Sequence, residues 1–247
     1  MSGFRRDHWD VFAYEEFVQY LHTLVDETYR TFQGGLLPGV DHFLGVRVPL
    51  LRKIAKEIGK GNVDSFFEVV QTNTVEEVLI EGFVIGSLDV SYDRFLRLVD
   101  QYSMKIDNWA VCDSFCHSLK LVRFYEKPFF EELDRYIQSS NPWQQRMALV
   151  LQLNYYLQDG YIDQVLQRSD QIISTDYYVQ MGQAWLLSMC YVKYPDKVLS
   201  YLKQCQLDEW TFLKTIQKIM ESKQVSKEEK ERLRLLKRDL LKNKMTE

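Results

Sequence analysis

The sequence is poor in residues that interrupt helices, with 11 glycines and 5 prolines among its 247 residues. This scarcity argues against a fold of many short strands joined by tight turns, and it favours long helices. Hydrophobic residues make up 46% of the chain and aromatic residues 14%. That content is sufficient for a packed core and excludes disorder over most of the length.

The chain also lacks a hydrophobic run long enough to span a bilayer, and no apolar segment follows its polar first ten residues. Its four cysteines do not have the spacing of a disulfide framework, so we expect reduced thiols in a cytoplasmic protein. Excess positive charge is missing as well, because the net charge is -4. This argues against non-specific coating of nucleic acid but leaves room for a small basic patch.

Apolar residues recur at three- and four-residue steps along most of the chain, which predicts a succession of helices joined by short loops. A long helix is predicted over residues 13–32 and a shorter one over residues 49–58. Segments beginning at Trp109, Trp143 and Tyr178 each read as the second helix of a hairpin, with starts about 35 residues apart. This spacing predicts an all-α fold, an α-α superhelix (solenoid) of HEAT-like helical hairpins.

The hairpin pattern predicts a single HEAT-like-repeat domain over residues 1–247, with the second helices lining the concave side of the stack. Residues 1–10 are expected to be flexible, and residues 223–247 are expected to form a terminal capping helix. Lysine, arginine and glutamate mix along that last segment. Its surface is therefore either a solvated helix face or an edge that contacts phosphates.

Three of the predicted second helices carry residues that an apolar core disfavours. Trp109 and Asp113 are four residues apart and therefore share one face of a helix. Arg146 stands among apolar residues of the next second helix, and Trp185 takes a similar place on the one after it. If these side chains converge, they form an aromatic cleft with one carboxylate and one guanidinium. The structural alternative is a pair of core tryptophans and a buried ion pair between Asp113 and Arg146.

A basic stretch near the N-terminus offers a second candidate surface. Arg52 and Lys56 lie on one face of the helix predicted over residues 49–58, and Arg47 precedes that helix. These side chains either contact phosphates or form an ordinary solvated surface.

Cys112, Cys116 and His117 lie close together in the sequence and raise the question of a metal site. Their spacing is not that of a zinc knuckle, and no second pair of ligands lies nearby in the sequence. We therefore expect structural cysteines and no bound metal. The sequence also contains no glycine-rich phosphate loop and no dinucleotide fingerprint.

Over roughly residues 15–202 the chain resembles the DNA alkylation repair family, the HEAT-like-repeat DNA glycosylases. The resemblance lies in residues 43–56, 107–116 and 178–195, taken in their order and spacing. It implies excision of positively charged N3- or N7-alkylated purines from double-stranded DNA, without a metal or other cofactor. The protein is expected to act as a monomer and away from membranes.

The same resemblance implies roles for individual residues. Asp113 corresponds to the catalytic aspartate, Trp109 and Trp185 to the tryptophans of the cleft, and Arg146 to the arginine of the site. A carboxylate can stabilise positive charge on deoxyribose and orient water, while indole faces attract that charge and a guanidinium fork matches phosphate oxygens. Two alternatives on the same fold are a DNA-binding repair accessory without excision and a protein-binding scaffold.

Overall fold

The computed structural model describes residues 3–244, with side chains up to residue 238. Every regular element in this range is helical, which confirms the predicted all-α class. The helices are α1 (Val11–His22), α2 (Glu27–Gly34), α3 (Val48–Ile58), α4 (Val63–Val69), α5 (Val75–Ser87), α6 (Tyr92–Ser103), α7 (Trp109–Ser118), α8 (Glu126–Ile137), α9 (Pro142–Tyr155), α10 (Ile162–Gln171), α11 (Tyr177–Lys193), α12 (Pro195–Leu202), α13 (Glu209–Glu221) and α14 (Lys227–Lys244). A short 3₁₀ helix, Lys120–Arg123, follows α7.

Within residues 3–244, no helix has the length and apolar content needed to cross a membrane. The segments predicted as a flexible start and as a capping helix extend into residues 1–2 and 245–247, which lie outside the described range. The described part of the second segment contains α14, a helix as expected.

The chain divides into two compact units, unit 1 (Met1–Tyr125) and unit 2 (Glu126–Glu247). Helices α3, α5 and α7 pack side by side as the second-helix row of unit 1, and α9, α11 and α13 form the second-helix row of unit 2. Successive second helices begin at Trp109, Pro142, Tyr177 and Glu209, which confirms the predicted repeat of roughly 35 residues. Hairpins therefore stack within each unit in a solenoid-like manner, while the single domain over 1–247 stays a prediction.

The single helix predicted over residues 13–32 is wrong, because the chain breaks at residues 23–26 between α1 and α2. Asp26 has an extended backbone, and its carboxylate accepts a hydrogen bond from the N–H of Tyr29 at 2.9 Å. Its own N–H donates to the Gly45 carbonyl at 3.0 Å. The apolar spacing continues across this break, so periodicity alone predicted one helix.

Helix α5 forms the centre of unit 1 and is buried from its first residue to its last turn. The buried Glu76 carboxylate accepts hydrogen bonds from the N–H groups of residues 44–46 at 2.7–3.0 Å, so it anchors the loop that precedes α3. Gly45 in this loop has a φ of 99°, and a Cβ there would lie 2.6 Å from Cβ of Arg30. Glycine is therefore required for the loop to follow this path.

The N-terminal segment packs against this core. Trp9 is 1% exposed, and its backbone N–H donates to Oγ of Ser65 at 3.0 Å. Phe4 is also buried and packs edge-on against the ring of Phe17. The burial of two aromatic side chains is at odds with the flexibility expected for this segment, over residues 3–10.

Unit 2 is built from hairpins whose outer and second helices are joined by buried polar contacts. The Arg168 guanidinium on α10 lies 3.8 Å from the ring centroid of Phe130 and pairs with Asp134 at 2.7 Å, both on α8. Gln183 on α11 donates to the carbonyl of Ser169 on α10 at 2.7 Å. The first set of contacts joins the outer helices of neighbouring hairpins, and the second holds α11 against the outer helix of its own hairpin.

Candidate active site

Helix α7 places the predicted catalytic carboxylate in unit 1. The buried Asn108 caps its N-terminus, where the side-chain oxygen accepts a hydrogen bond from the N–H of Val111 at 3.0 Å. Trp109 is therefore the first helical residue, and Asp113 follows one turn later on the same face. Both side chains are half-buried. The indole and the carboxylate are therefore both partly open to solvent on the same face of α7.

The orientation of Trp109 is fixed by a loop for which no role was predicted from the sequence. Its indole Nε1 donates a hydrogen bond to the backbone carbonyl of Leu36 at 3.0 Å. The same loop reaches the start of α7 a second time, where Nε2 of His42 lies 3.4 Å from a carboxylate oxygen of Asp107. The loop between α2 and α3 therefore holds the indole of Trp109 in one orientation at the start of α7.

A buried carboxylate lies on α5, close to the loop that leads into α7. Glu81 pairs with Nζ of Lys105 at 2.6 Å, and its side chain is 7% exposed. Burial raises the pKa of Glu81 above its ordinary value, and the lysine opposes this rise. The pair joins α5 to the loop before α7, which gives it a structural role in positioning the α7 N-terminus.

Arg146 lies on α9 in unit 2, and its side chain is almost completely buried. Its Nη1 donates to the carbonyl of Tyr178 in the first turn of α11 at 2.7 Å. Gly182, one turn later on α11, leaves room for the guanidinium, because a Cβ there would lie 3.4 Å from that nitrogen. Arg146 therefore connects α9 to α11.

Trp185 is half-buried on α11, two turns after Tyr178. Arg146 and Trp185 thus belong to adjacent, packed helices of unit 2, whereas Trp109 and Asp113 belong to α7 of unit 1. Trp109 and Asp113 share one face of α7, and Arg146 contacts α11, the helix that carries Trp185.

The three cations of the N-terminal basic stretch are not equivalent. Arg47 pairs with Asp26 at 2.8 Å, and its guanidinium lies 5.2 Å from the ring centroid of Tyr29. Arg52 and Lys56, in contrast, line a cavity of about 700 Å³ at the C-terminal end of α3. The structure therefore keeps Arg52 and Lys56 together, as predicted, and gives Arg47 an acidic partner of its own.

Sequence reasoning missed a row of aromatic side chains in unit 2. The ring of Trp143 lies 5.1 Å from that of Tyr178, and the ring of Tyr177 lies 5.8 Å from that of Trp210. Tyr177 is 56% and Trp210 is 38% exposed. These residues lie in the first turns of α9, α11 and α13, so the repeat of roughly 35 residues was the signal that could have found them.

Cys112 and Cys116 are buried in the core of unit 1, whereas His117 is exposed. The two thiols and the imidazole therefore lie on different faces of α7. None of the four cysteines forms a disulfide.

Fold and site together define an all-helical protein of stacked hairpins that presents an indole and a carboxylate side by side on a second helix. The chain matches the sequence profile of the DNA alkylation repair enzymes over residues 18–236, and it therefore belongs to that family. It is thus an enzyme of DNA alkylation repair, and a DNA-binding protein by implication. A search of curated proteins finds no match to the chain.

Proposed function

We propose that this protein is a DNA glycosylase that hydrolyses the N-glycosidic bond of positively charged N3- or N7-alkylated purines in double-stranded DNA. The observation that carries the proposal is the pairing of Trp109 and Asp113 on one face of α7, both partly open to solvent. A carboxylate that is partly open to solvent can be reached by a ligand, and its interaction with a nearby charge is less screened than in bulk water.

The chemistry suits a site with a single catalytic carboxylate. When the bond between C1′ and the purine nitrogen breaks, its electron pair leaves with the base and neutralises the positive charge of the base. No general acid is needed for this step, because the leaving group departs as a neutral purine. The deoxyribose then carries oxocarbenium character, which the Asp113 carboxylate stabilises electrostatically.

Water completes the reaction by adding to C1′. Asp113 orients this water and accepts one of its protons, so the products are the free purine and an abasic deoxyribose. The face of an indole attracts positive charge, and Trp109 is held in one orientation by its hydrogen bond to the Leu36 carbonyl. We assign to the indole face of Trp185, in unit 2, the same attraction of positive charge.

Arg146 takes a positioning role in this proposal. A guanidinium that is almost completely buried and bonded to the Tyr178 carbonyl is suited to holding α11 in place, and with it Trp185. Phosphate recognition, which the sequence suggested for Arg146, falls more naturally to side chains that are open to solvent.

A base-release assay tests the proposal. Duplex DNA containing 7-methylguanine is incubated with excess protein, with and without a chelator, and the free base is separated by chromatography. We expect release well above spontaneous depurination and no effect of the chelator, because neither metal nor cofactor takes part in the proposed mechanism. Binding of the duplex without release of the base would instead indicate a repair accessory, and absence of any binding would indicate a protein-binding scaffold.

The same proposal includes a monomeric, cytoplasmic enzyme. Light scattering in the presence and absence of duplex DNA measures the mass of the active species. One copy of the chain per duplex is the expected result, because the proposed chemistry uses a single carboxylate, Asp113.

A further inference from the structure

The cavity at the C-terminal ends of α3, α5 and α7 has an unusual charge for a protein of net charge -4. We call it the basic cavity; Arg52, Lys56, Lys60, His117 and Lys120 supply its ionisable groups, and Phe83 lies at its base. Every ionisable side chain that the described residues contribute to its wall is basic. All of them belong to unit 1.

The floor of the basic cavity is made of small residues that allow a close approach of three helices. A Cβ on Gly59 would lie 2.7 Å from Oγ of Ser87, and a Cβ on Gly86 would lie 2.6 Å from the carbonyl oxygen of Ser118. Larger side chains at these two glycines would push the helices apart and fill the depression. The volume of about 700 Å³ therefore follows from the packing of α3, α5 and α7.

The ordinary explanation of cations at helix C-termini is that they satisfy the last carbonyl groups. Here hydroxyl groups already supply donors: Ser87 donates to the Val84 carbonyl at 2.8 Å, and Ser118 donates to the Phe115 carbonyl at 2.7 Å. Each helix end carries about half a negative charge, so three ends offset roughly 1.5 charges. Glu57, which pairs with Lys60 at 2.6 Å, offsets one more. The three remaining positive charges, on Arg52, Lys56 and Lys120, thus exceed the negative charge of the three helix ends.

Arg52 is held in place before any ligand arrives. Its guanidinium carbon lies 4.0 Å from the ring centroid of Phe83, within the range of a cation–π contact. Burial lowers the pKa of Arg52 from its ordinary value because the guanidinium has lost part of its hydration. An anion that bonds to the N–H edge of this fixed guanidinium restores that lost solvation with little cost in side-chain entropy.

The basic cavity begins one helical turn beyond the proposed catalytic residue. His117 in its wall follows Asp113 by four residues on α7, a rise of about 6 Å along the helix axis. A nucleotide whose deoxyribose lies beside Asp113 therefore places a phosphate of its own strand near this cavity.

We propose that the basic cavity binds one phosphate group of the DNA strand that carries the damaged base, with Arg52, Lys56 and Lys120 as its ligands. The inference rests on the proposed function in so far as the strand must pass α7. Its chemistry is independent of excision, because phosphate binding needs only the charge and the shape of the cavity. Undamaged duplex DNA must therefore show the same contact.

The test compares two double variants by fluorescence polarisation with an undamaged duplex at 50 to 200 mM KCl. Lys56→Gln with Lys120→Gln removes two exposed ligands of the cavity, while Lys53→Gln with Lys203→Gln removes two exposed lysines outside its wall. Both doubles change the net charge equally, and thermal melts confirm that both are folded.

Loss of one neutralised phosphate lowers the slope of log affinity against log salt by about 0.9. We therefore expect the Lys56/Lys120 variant to bind more weakly than wild type at 50 mM, with the gap closing about three- to fourfold by 200 mM. The Lys53/Lys203 variant is expected to retain the wild-type slope. Equal slopes for wild type and both variants, or no duplex binding by the wild type, would overturn the inference.

Inorganic phosphate serves as a second probe, followed through the imidazole resonances of His117 by NMR and assigned with His117→Asn. A phosphate-dependent shift that is lost in the Lys56/Lys120 variant, together with the change in salt slope, supports a DNA phosphate site. The shift without any change in slope would assign the cavity to free phosphate esters and overturn the DNA contact. A change in the salt slope of the Lys56/Lys120 variant without base release by the wild type would overturn the glycosylase proposal but not the phosphate site. Base release by the wild type with an unchanged salt slope in the variant would overturn the phosphate site alone.

Discussion

Replacement of Asp113 by asparagine isolates the charge of the proposed catalytic group. Asparagine keeps the size of the side chain but removes its negative charge and its capacity to accept a proton from water. Because the bond to the purine breaks before that proton is transferred, the rate of base release reports lost electrostatic stabilisation of the oxocarbenium. Two unit charges about 4 Å apart interact by about 4 kcal/mol at an effective dielectric constant of 20. This dielectric constant suits a half-buried side chain such as Asp113. A difference of this size corresponds to about a thousandfold in rate.

The assay is single-turnover release of 7-methylguanine from duplex DNA, with protein in excess over substrate. Under these conditions the rate reports bond cleavage rather than product release. Asp89→Asn serves as the matched control, because Asp89 is exposed in the loop before α6 and its replacement removes the same charge from unit 1. We expect the control to retain the wild-type rate and both variants to melt near the wild-type temperature.

A fall of less than tenfold for Asp113→Asn would refute the electrostatic argument, because so small an effect corresponds to less than about 1.4 kcal/mol. An equal fall for Asp89→Asn would show that net charge, through DNA affinity, determines the rate. Unfolding of Asp113→Asn would be visible in the melt and would assign the residue to structure instead of catalysis.

Three further predictions concern residues around the site. Trp109→Phe keeps an aromatic face but loses the indole hydrogen bond to the loop between α2 and α3. We therefore expect a loss of about 1 kcal/mol in the free energy of unfolding and faster proteolysis of that loop. An unchanged rate of proteolysis would contradict the idea that this hydrogen bond holds the loop and the indole together. Arg146→Met removes the charged hydrogen bond to the Tyr178 carbonyl, so we expect the free energy of unfolding, measured in urea, to fall by about 1.5–3 kcal/mol. We also expect this variant to lower kcat more than it raises KM. A variant as stable as wild type would show that this hydrogen bond does not hold α9 and α11 together. Burial raises the pKa of Glu81 above its unfolded value of about 4.5, so its contribution to stability is present below pH 4.5 and is lost as pH rises through the folded pKa. The melting temperature of wild type should therefore fall relative to that of Glu81→Gln as the pH rises from 4.5 to 7. A difference in melting temperature that stays constant over this range would contradict the prediction.

The positions of the second helices could be predicted because apolar residues recur along them at three- and four-residue steps. Helical geometry alone places Trp109 and Asp113 on one face, since residues four apart lie above one another on any helix. The break between α1 and α2 depends on a capping interaction of Asp26 and on a contact with Gly45, and apolar periodicity contains neither. The apolar pattern therefore predicted one helix across residues 23–26, where two hydrogen bonds of Asp26 separate α1 from α2.

The remaining features depend on contacts between residues far apart in the chain. The Leu36 carbonyl that holds the indole of Trp109 is a main-chain group, and no side-chain pattern indicates its position. The burial of Arg146 depends on how closely α9 approaches α11, which the small Gly182 permits. The sequence identified that arginine correctly as unusual, but only the packing of α9 against α11 reveals its partner at Tyr178.

The central claim is that this family member breaks the glycosidic bond of a cationic purine. The most direct measurement is a time course of base release from two otherwise identical duplexes, one with 7-methylguanine and one with uracil, under single-turnover conditions in chelator. The account predicts release of 7-methylguanine far above the spontaneous rate and no release of uracil, because only the former departs as a neutral base without protonation. Binding of both duplexes with no release of 7-methylguanine, or equal release of both bases, would contradict it.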